Sequence, residues 1–491
     1  MLSGLTAAHA QSAATAPSDS FAFADRIFEE YCHEAHVPGL VHGIVIDGRL
    51  VHVGTFGVQD LQSHRPVTAD TLFRIASMTK AFTALTLLKL RDEGRVQLDA
   101  LAEQYVPEMQ GWKYPTDDSP RIRVRDLLSH AAGFVTDDPW GDRQTPLPEE
   151  DFTRLLRQGV PFTRAPATAY EYSNLGYALI GRIITNVSAH PFEETITRTL
   201  LRPLAMEASG FVAEAAPPQR RALGYRWEDD AWRLEPTLGP GAFGAMGGLQ
   251  TSARDYARWV AFLLSAWPPR NGVDAGPVKR STVRELAQGL GFPRVRPRYG
   301  HSGAQACRMA VTYGMGMNVA TDCDLGLTLS HGGGYPGFGS HVLLLPERGV
   351  GIFAFANRTY AGPTAPVWDV AVAMLKAGML PPERPVPVSA ELAEGYRAAA
   401  TIYRAGDVSA SRPMLAMNFL LDRSAEGWSR DLAKLKGRVG DCDTSAPVIA
   451  SGALTGDFSW RCQHGRLQGS LELAPTLPPR IQQLRLEAIE P

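Results

Sequence analysis

The sequence predicts an α+β fold. Strands near the start and near the end of the first 380 residues enclose a long helical stretch, and a small α+β domain follows. Three observations carry this. Asp47-Gly48 separates two apolar runs, a strong hairpin signal. Residues 313–356 read as further strands, the last two joined at Pro346-Glu-Arg-Gly349. Between these regions, 98–290 reads as helical pieces and loops.

Taken in order, 22–34 has Phe23, Ile27, Phe28 and Tyr31 on one side of an amphipathic helix. Strands at 40–46 and 50–58 follow. The run from Ser77 to Leu90 is apolar apart from its threonines and Lys89, so it reads as a core helix, ended by Gly94. A short helix runs over 124–130 into Ala131-Ala-Gly-Phe134, and 136–149 is a polar, proline-rich surface loop carrying Trp140. A polar turn at 170–174 feeds an apolar helix. The glycine-rich 239–248 lacks the lysine and the preceding strand of a phosphate loop. Thr251 or Ser252 caps a helix over 253–266. Arg294, Arg296 and Arg298 form a basic, solvated loop. Strands at 313–319, 325–331 and 341–356 flank a glycine-rich turn at 331–340. A helix over 366–380 packs back on this sheet.

Pro381 to Val388 is a linker by composition. Residues 389–491 then form a separate α+β domain with helices at 390–405 and 425–439 and three or four strands over 451–488. It carries no constellation assignable to chemistry.

The composition excludes several classes. Of the 491 residues, 44% are apolar and 20% charged, with a formal net charge of −2. That is a soluble globular composition without the basic footprint of a nucleic-acid binder. No apolar run approaches the ~20 residues of a membrane span. Ala8-His9-Ala10 fits a signal-peptidase site, so 1–20 is expected to be the remnant of an export signal or a disordered terminus. No spacing of the five cysteines suggests a metal knuckle. Cys307/Cys323 and Cys442/Cys462 are candidates for local disulfides, with buried free thiols as the alternative. No metal or other cofactor is expected.

The chemistry centres on Ser77-Met-Thr-Lys80. A serine and a lysine three residues apart project from nearly the same helix face. A desolvated amine beside a hydroxyl at a helix N-terminus is what nucleophilic catalysis needs. Tyr172-Ser-Asn174 and His331-Gly-Gly333 complete the pattern. Singly each is weak: Lys80 reads also as a stem on apolar surface, Asn174 as an ordinary helix cap, and His331 as a turn residue. In this order and spacing they resemble the serine β-lactamase and penicillin-binding-protein superfamily. The match is to the branch of class C enzymes, D,D-carboxypeptidases, D-aminopeptidases and related esterases. The resemblance covers roughly 21–380, including Leu127-Leu-Ser-His-Ala-Ala-Gly-Phe134 and Tyr313-Gly-Met-Gly316.

The resemblance implies an antiparallel sheet flanked by helices with an all-helical subdomain at about 98–290. It implies Ser77 as nucleophile, Lys80 and Tyr172 sharing the general base and acid work, and Asn174 serving Lys80 or the substrate amide. The backbone N–H groups of Ser77 and Gly334 are expected to form the oxyanion hole, and His331 belongs to the site. Trp140, Tyr335 and Phe338 are the aromatic candidates for substrate contact. Where antibiotic-destroying members begin the third motif with Lys-Thr, this chain has His331 and Gly332. A histidine is mostly neutral at pH 7 and glycine has no hydroxyl, which argues against an efficient β-lactamase. The expectation is a periplasmic or secreted bacterial serine hydrolase acting on an ester through an acyl-enzyme. The alternatives are a D-amino-acid peptidase or amidase, then a β-lactamase, then a non-catalytic binder. Its partner is a small-molecule or peptide substrate, not nucleic acid.

Overall fold

The structure is a computed structural model that describes residues 18–136, 141–299 and 307–489. Its largest element is a nine-stranded antiparallel sheet. The spatial order is Arg65–Pro66, Arg49–Asp60, Gly39–Ile46, Val350–Ala356, Phe338–Leu345, Gly326–Tyr335, Asn318–Asp322, Arg308–Tyr313 and Arg294–Pro297. The first hairpin turns at Asp47 and Gly48, whose φ values of 49° and 76° are those of a tight primed turn.

Both faces of the central strands are buried, and their side chains divide between two cores with period two. Leu40, Ile44, Ile352 and Ala354 pack under the helices Ala22–Glu34 and Thr364–Lys376. Val41, Val45, Phe353 and Phe355 pack on the other face with the helices Thr79–Asp92 and Ala253–Leu264. The second layer is the larger core. Its helix Thr79–Asp92 buries Phe82, Leu85, Leu87 and Leu88 completely. Phe82 stacks on Trp259 at 3.8 Å.

The segment between the sheet halves is mainly helical and also carries a two-stranded ribbon, Tyr225–Glu228 with Ala231–Leu234. Asp229 and Asp230 turn it with φ near 50°. Four further readings change. Arg294–Pro297 is not a loop but the last strand of the sheet, paired with Arg308–Tyr313. Arg298 is buried in ion pairs with Asp322 and Asp324. Tyr313-Gly-Met-Gly316 is not continuous strand, because the chain turns there. Gly316, at φ 89°, lies so close to the helix Thr79–Asp92 that a Cβ would come within 2.9 Å of the Lys80 carbonyl oxygen. The run His331–Tyr335 is strand, not turn, and only Pro336 and Gly337 form the bend.

Cys307 is bonded to Cys323 and Cys442 to Cys462, while Cys32 is a buried free thiol. Among the described residues no helix is long and apolar enough to cross a membrane. The chain divides into two compact units, the second made of the short segment 268–272 and the chain from Arg384 onward. That unit has the helices Ala390–Ala405 and Ala425–Val439 over an antiparallel sheet built mainly from Thr455–Cys462, Gly465–Ala474 and Arg480–Ile489. Its core centres on Trp460, Tyr403 and Leu467.

One polar cluster locks the N-terminal helix to the sheet. Asp25 accepts from His42 (3.0 Å) and His52 (2.8 Å), and Gly54 leaves room for them, since a Cβ there would sit 2.0 Å from the His42 ring. The His42 hydrogen bond, aided by His52 and opposed by burial, lowers the Asp25 pKa to about 2. A depressed carboxylate stabilises the fold fully above its unfolded pKa and loses that contribution as pH falls from about 4 toward 2. Because Asp25 is half exposed, screening reduces the contribution to about 1 kcal/mol. Asp25→Asn should lower urea-unfolding stability by that amount at pH 7, and the gap from wild type should close by pH 2.

Candidate active site

Ser77 lies where a short 3-10 turn, Ala76–Met78, enters the buried helix Thr79–Asp92. Ala76 is held at φ 49°, a left-handed conformation that costs a non-glycine residue on the order of 1 kcal/mol. The turn is clamped from both sides. Ile75 N–H donates to Leu249 O at 3.0 Å, and Ser340 Oγ donates to Ile75 O at 2.7 Å.

Lys80 is fully buried. Its Nζ donates to Ser77 Oγ (3.0 Å), Asn174 Oδ1 (2.9 Å) and the Met246 carbonyl (2.9 Å). The same Nζ lies 4.8 Å from the centroid of the Tyr172 ring and 5.4 Å from that of Tyr177. Asn174 is free for this contact because it is not the helix cap. Ser173 caps the helix Asn174–Ser188, accepting from Gly176 N–H at 3.1 Å. Burial pushes the Tyr172 phenol well above the usual range, opposed by its interaction with the Ser77 side chain.

His331 lies on the strand Gly326–Tyr335 and is buried. Its Nδ1 faces its neighbour's carbonyl, Gly332 O, at 2.6 Å, and its Nε2 faces Tyr313 Oη at 2.9 Å. A carbonyl can only accept, so Nδ1 carries the proton and Nε2 accepts from the tyrosine. Burial and the charge of Lys80 lower the His331 pKa to about 3. The third motif therefore presents neither a cation nor, at Gly332, a hydroxyl. Gly334 follows in the same strand, in register with Gly339.

The structure thus gathers Ser77, Tyr172 and Asn174 around Lys80, with His331 within 6.2 Å of the Tyr172 ring, centroid to centroid. Tyr335 is buried and its hydroxyl accepts from Arg74 at 3.0 Å. Phe338 is half-buried against the larger core. Trp140 lies outside the described residues.

Three contributors escaped the reading of the sequence. The Met246 carbonyl, from the glycine-rich stretch, is the third acceptor of Lys80. His130, buried at φ 58°, accepts the Ser173 N–H on Nδ1 at 3.1 Å, and its carbonyl accepts from Glu171 N–H at 2.8 Å. It therefore holds Tyr172 from both sides in sequence, and its ring packs on Tyr172 at 4.3 Å. Tyr313 supports His331 and packs on His130 at 4.4 Å. The Leu127–Phe134 stretch was the available signal for His130; nothing in the sequence marked Met246.

Among the described residues, two groups bring three or more His, Cys or carboxylate ligand atoms within 4.8 Å of one another. One is Asp25, His42 and His52, and the other surrounds the Cys307–Cys323 bridge. Neither includes a residue of the Ser77 site.

A family model described as Beta-lactamase matches residues 24–375. Among curated proteins, Protein flp of Staphylococcus aureus (strain MW2) is 28% identical over 349 residues, 69% of this chain. The match spans 64% of that relative's length. Beta-lactamase-like protein 2 of Dictyostelium discoideum is 29% identical over 253 residues, 50% of this chain and 45% of that protein. Among solved structures, a class C beta-lactamase superposes with TM-score 0.57 at 19% identity, covering 74% of this chain and 97% of its own. The octameric penicillin-binding protein homologue from Pyrococcus abyssi gives 0.60 at 19%, covering 95% and 99%. These superpositions establish the fold.

Proposed function

Because the chain belongs to the beta-lactamase family of hydrolases, we propose that it cleaves an ester through an acyl-enzyme on Ser77. One observation carries the reading: Lys80 Nζ stands 3.0 Å from Ser77 Oγ while its other contacts fix it from behind. Ser77 attacks the acyl carbon and its proton passes into the Lys80/Tyr172 pair. That pair then protonates the leaving alcohol and, in the second half-reaction, activates water. The N–H groups of Ser77 and Gly334 hold the developing oxyanion, a role worth ~10²–10³ in turnover per donor. Asn174 fixes Lys80, and His130 is a positioning residue for Tyr172.

The ester preference rests on the third motif. With His331 neutral and engaged by Tyr313, no fixed cation there awaits a β-lactam carboxylate. Esters also ask less of the proton donor, because an alcohol leaves more readily than an amine. The two disulfides support an oxidising location, the periplasm or outside the cell.

A fluorophosphonate probe followed by intact mass should give one adduct on wild type and none on Ser77→Ala. An adduct surviving that substitution would sink the assignment. In a panel of nitrophenyl esters, D-alanyl anilides and a chromogenic cephalosporin, the esters should have the highest kcat/KM. Fast cephalosporin turnover would overturn the argument from His331, and dominant anilide turnover would move the protein among the D-amino-acid peptidases. The ester pH–rate profile should show no limb from His331 between pH 5 and 8.

A further inference from the structure

Beside the nucleophile turn lies a small cavity whose lining includes Arg74, Arg221, Glu235, Thr237, Gln250 and Tyr335. It is built by the entry to the active site. Arg74 is three residues before Ser77, on the short strand Phe73–Arg74 that pairs with Gln250–Thr251. Tyr335 directly follows Gly334.

Arg74 is only 4% exposed. Its Nη2 donates to Tyr335 Oη at 3.0 Å, and its guanidinium carbon lies 5.1 Å from the centroid of that ring. Its Nε and Nη1 are buried with no protein acceptor, and so is Nε of Arg221. Among the described residues neither guanidinium has a carboxylate within ion-pair distance. Glu235 also lines the cavity, but its charge is answered elsewhere. It accepts from Arg143 at 3.1 and 3.2 Å and from Thr359 at 3.1 Å, and Arg226 stands at 3.7 Å.

A guanidinium cannot shed its proton to escape burial. A buried cation without a counter-charge is among the costliest arrangements in a folded protein. Arg74 is such a residue, and with the half-buried Arg221 on the same cavity it leaves three unpaired donor nitrogens, a site complementary to a small anion. The fork geometry of arginine suits a planar carboxylate above other anions. About 30 Å³ of the cavity accepts the centre of a water-sized sphere, above the ~10–15 Å³ one water needs. That space takes a carboxylate group.

We propose that this cavity binds a carboxylate between Arg74 and Arg221. When filled, the site joins the strand leading into Ser77 to the bend after the third motif and to the segment carrying Arg221. The carboxylate is either a free small acid or one carried by the substrate, and the second source rests on the hydrolase reading above.

Calorimetric titration of the full chain with sodium formate and sodium acetate, at constant ionic strength, tests the site without any activity. Saturable binding is expected, at least 10-fold weaker in Arg221→Gln and in Arg74→Gln, the loss typical of a charge-assisted hydrogen bond. Arg221 is less buried, so its variant keeps the test valid if Arg74→Gln fails to fold. No saturable binding of either anion by wild type, or equal affinity in folded Arg221→Gln, would overturn the proposal. Two nitrophenyl esters, one neutral and one with a carboxylate on its acyl chain, then separate the sources. Acetate raising KM only for the carboxylated ester identifies a substrate subsite. Acetate binding that competes with neither identifies a free-acid site.

Discussion

Replacing Lys80 and Tyr172 together should cost little more turnover than replacing either alone. Each single variant, Lys80→Ala and Tyr172→Phe, is expected to lower kcat on the best ester by ~10²–10⁴, the range of positioned proton transfer. Independent roles would multiply these losses in the double variant. The structure argues against independence. Lys80 bonds the Ser77 hydroxyl, and its ammonium lies 4.8 Å from the Tyr172 ring centroid. Burial raises the phenol, and a cation beside it favours the phenolate. The protons then belong to the pair, and its apparent pKa values are properties of both residues. Either variant disables the route that the other would need. Comparing kcat/KM across pH for wild type, the two singles and the double decides this, as residues acting as a unit are strongly non-additive. A double-variant loss equal to the product of the singles would show two separate proton carriers.

The Ser77/Lys80 pair was legible because its signal is local. Ser77 and Lys80 share one turn of a helix whose apolar sequence announces its burial, and Asp47-Gly48 names its own hairpin. Residues whose placement depends on a distant partner were not legible. His331-Gly-Gly-Gly334 has no strand propensity, and four such residues read as a turn. They are strand because their neighbour Phe338–Leu345 and the turn Ala76–Met78 impose it. Arg294–Pro297 contains three polar or imino residues and reads as loop, yet it finds an open sheet edge, where a proline is tolerated. Gly316 is glycine on account of the backbone of Lys80, 236 residues earlier in sequence.

The site was legible to the same depth. Side chains with their own chemistry could be picked out. The Met246 carbonyl could not, since every residue carries one and only the fold decides which is aimed at a lysine. His130 bears chemistry but works through a backbone amide, Ser173 N–H. The Asn174 cap reading failed because Ser173 competes for the same position, and serine is as good a cap. That competition leaves the Asn174 amide facing Lys80.

Gly333→Ala should lower turnover on the order of 10²-fold and destabilise the fold by about 1–3 kcal/mol, the usual cost of overpacking. A Cβ at 333 would stand 2.1 Å from Ser340 Oγ, 2.4 Å from Ile75 O and 3.0 Å from Ala76 Cβ. The first two atoms are the donor and acceptor of the bond that clamps the nucleophile turn. Rotating Ser340 away would relieve one clash but break that clamp, and Ile75 O is backbone and cannot rotate. The strand and the turn must therefore separate by about 1 Å, a displacement that costs ~10² when reacting groups are misplaced. Separation also draws Gly334, the proposed oxyanion donor, away from Ser77. Gly332→Ala is the control. Its Cβ would meet nothing nearer than the His341 ring at 3.4 Å, so stability should stay within about 0.5 kcal/mol of wild type. Urea unfolding and kcat/KM on the same ester read both effects. Wild-type turnover in a folded Gly333→Ala protein would mean that the spacing between this strand and Ser77 does not set the reacting geometry. A loss in both variants alike would point to strand flexibility instead of the contact with Ile75.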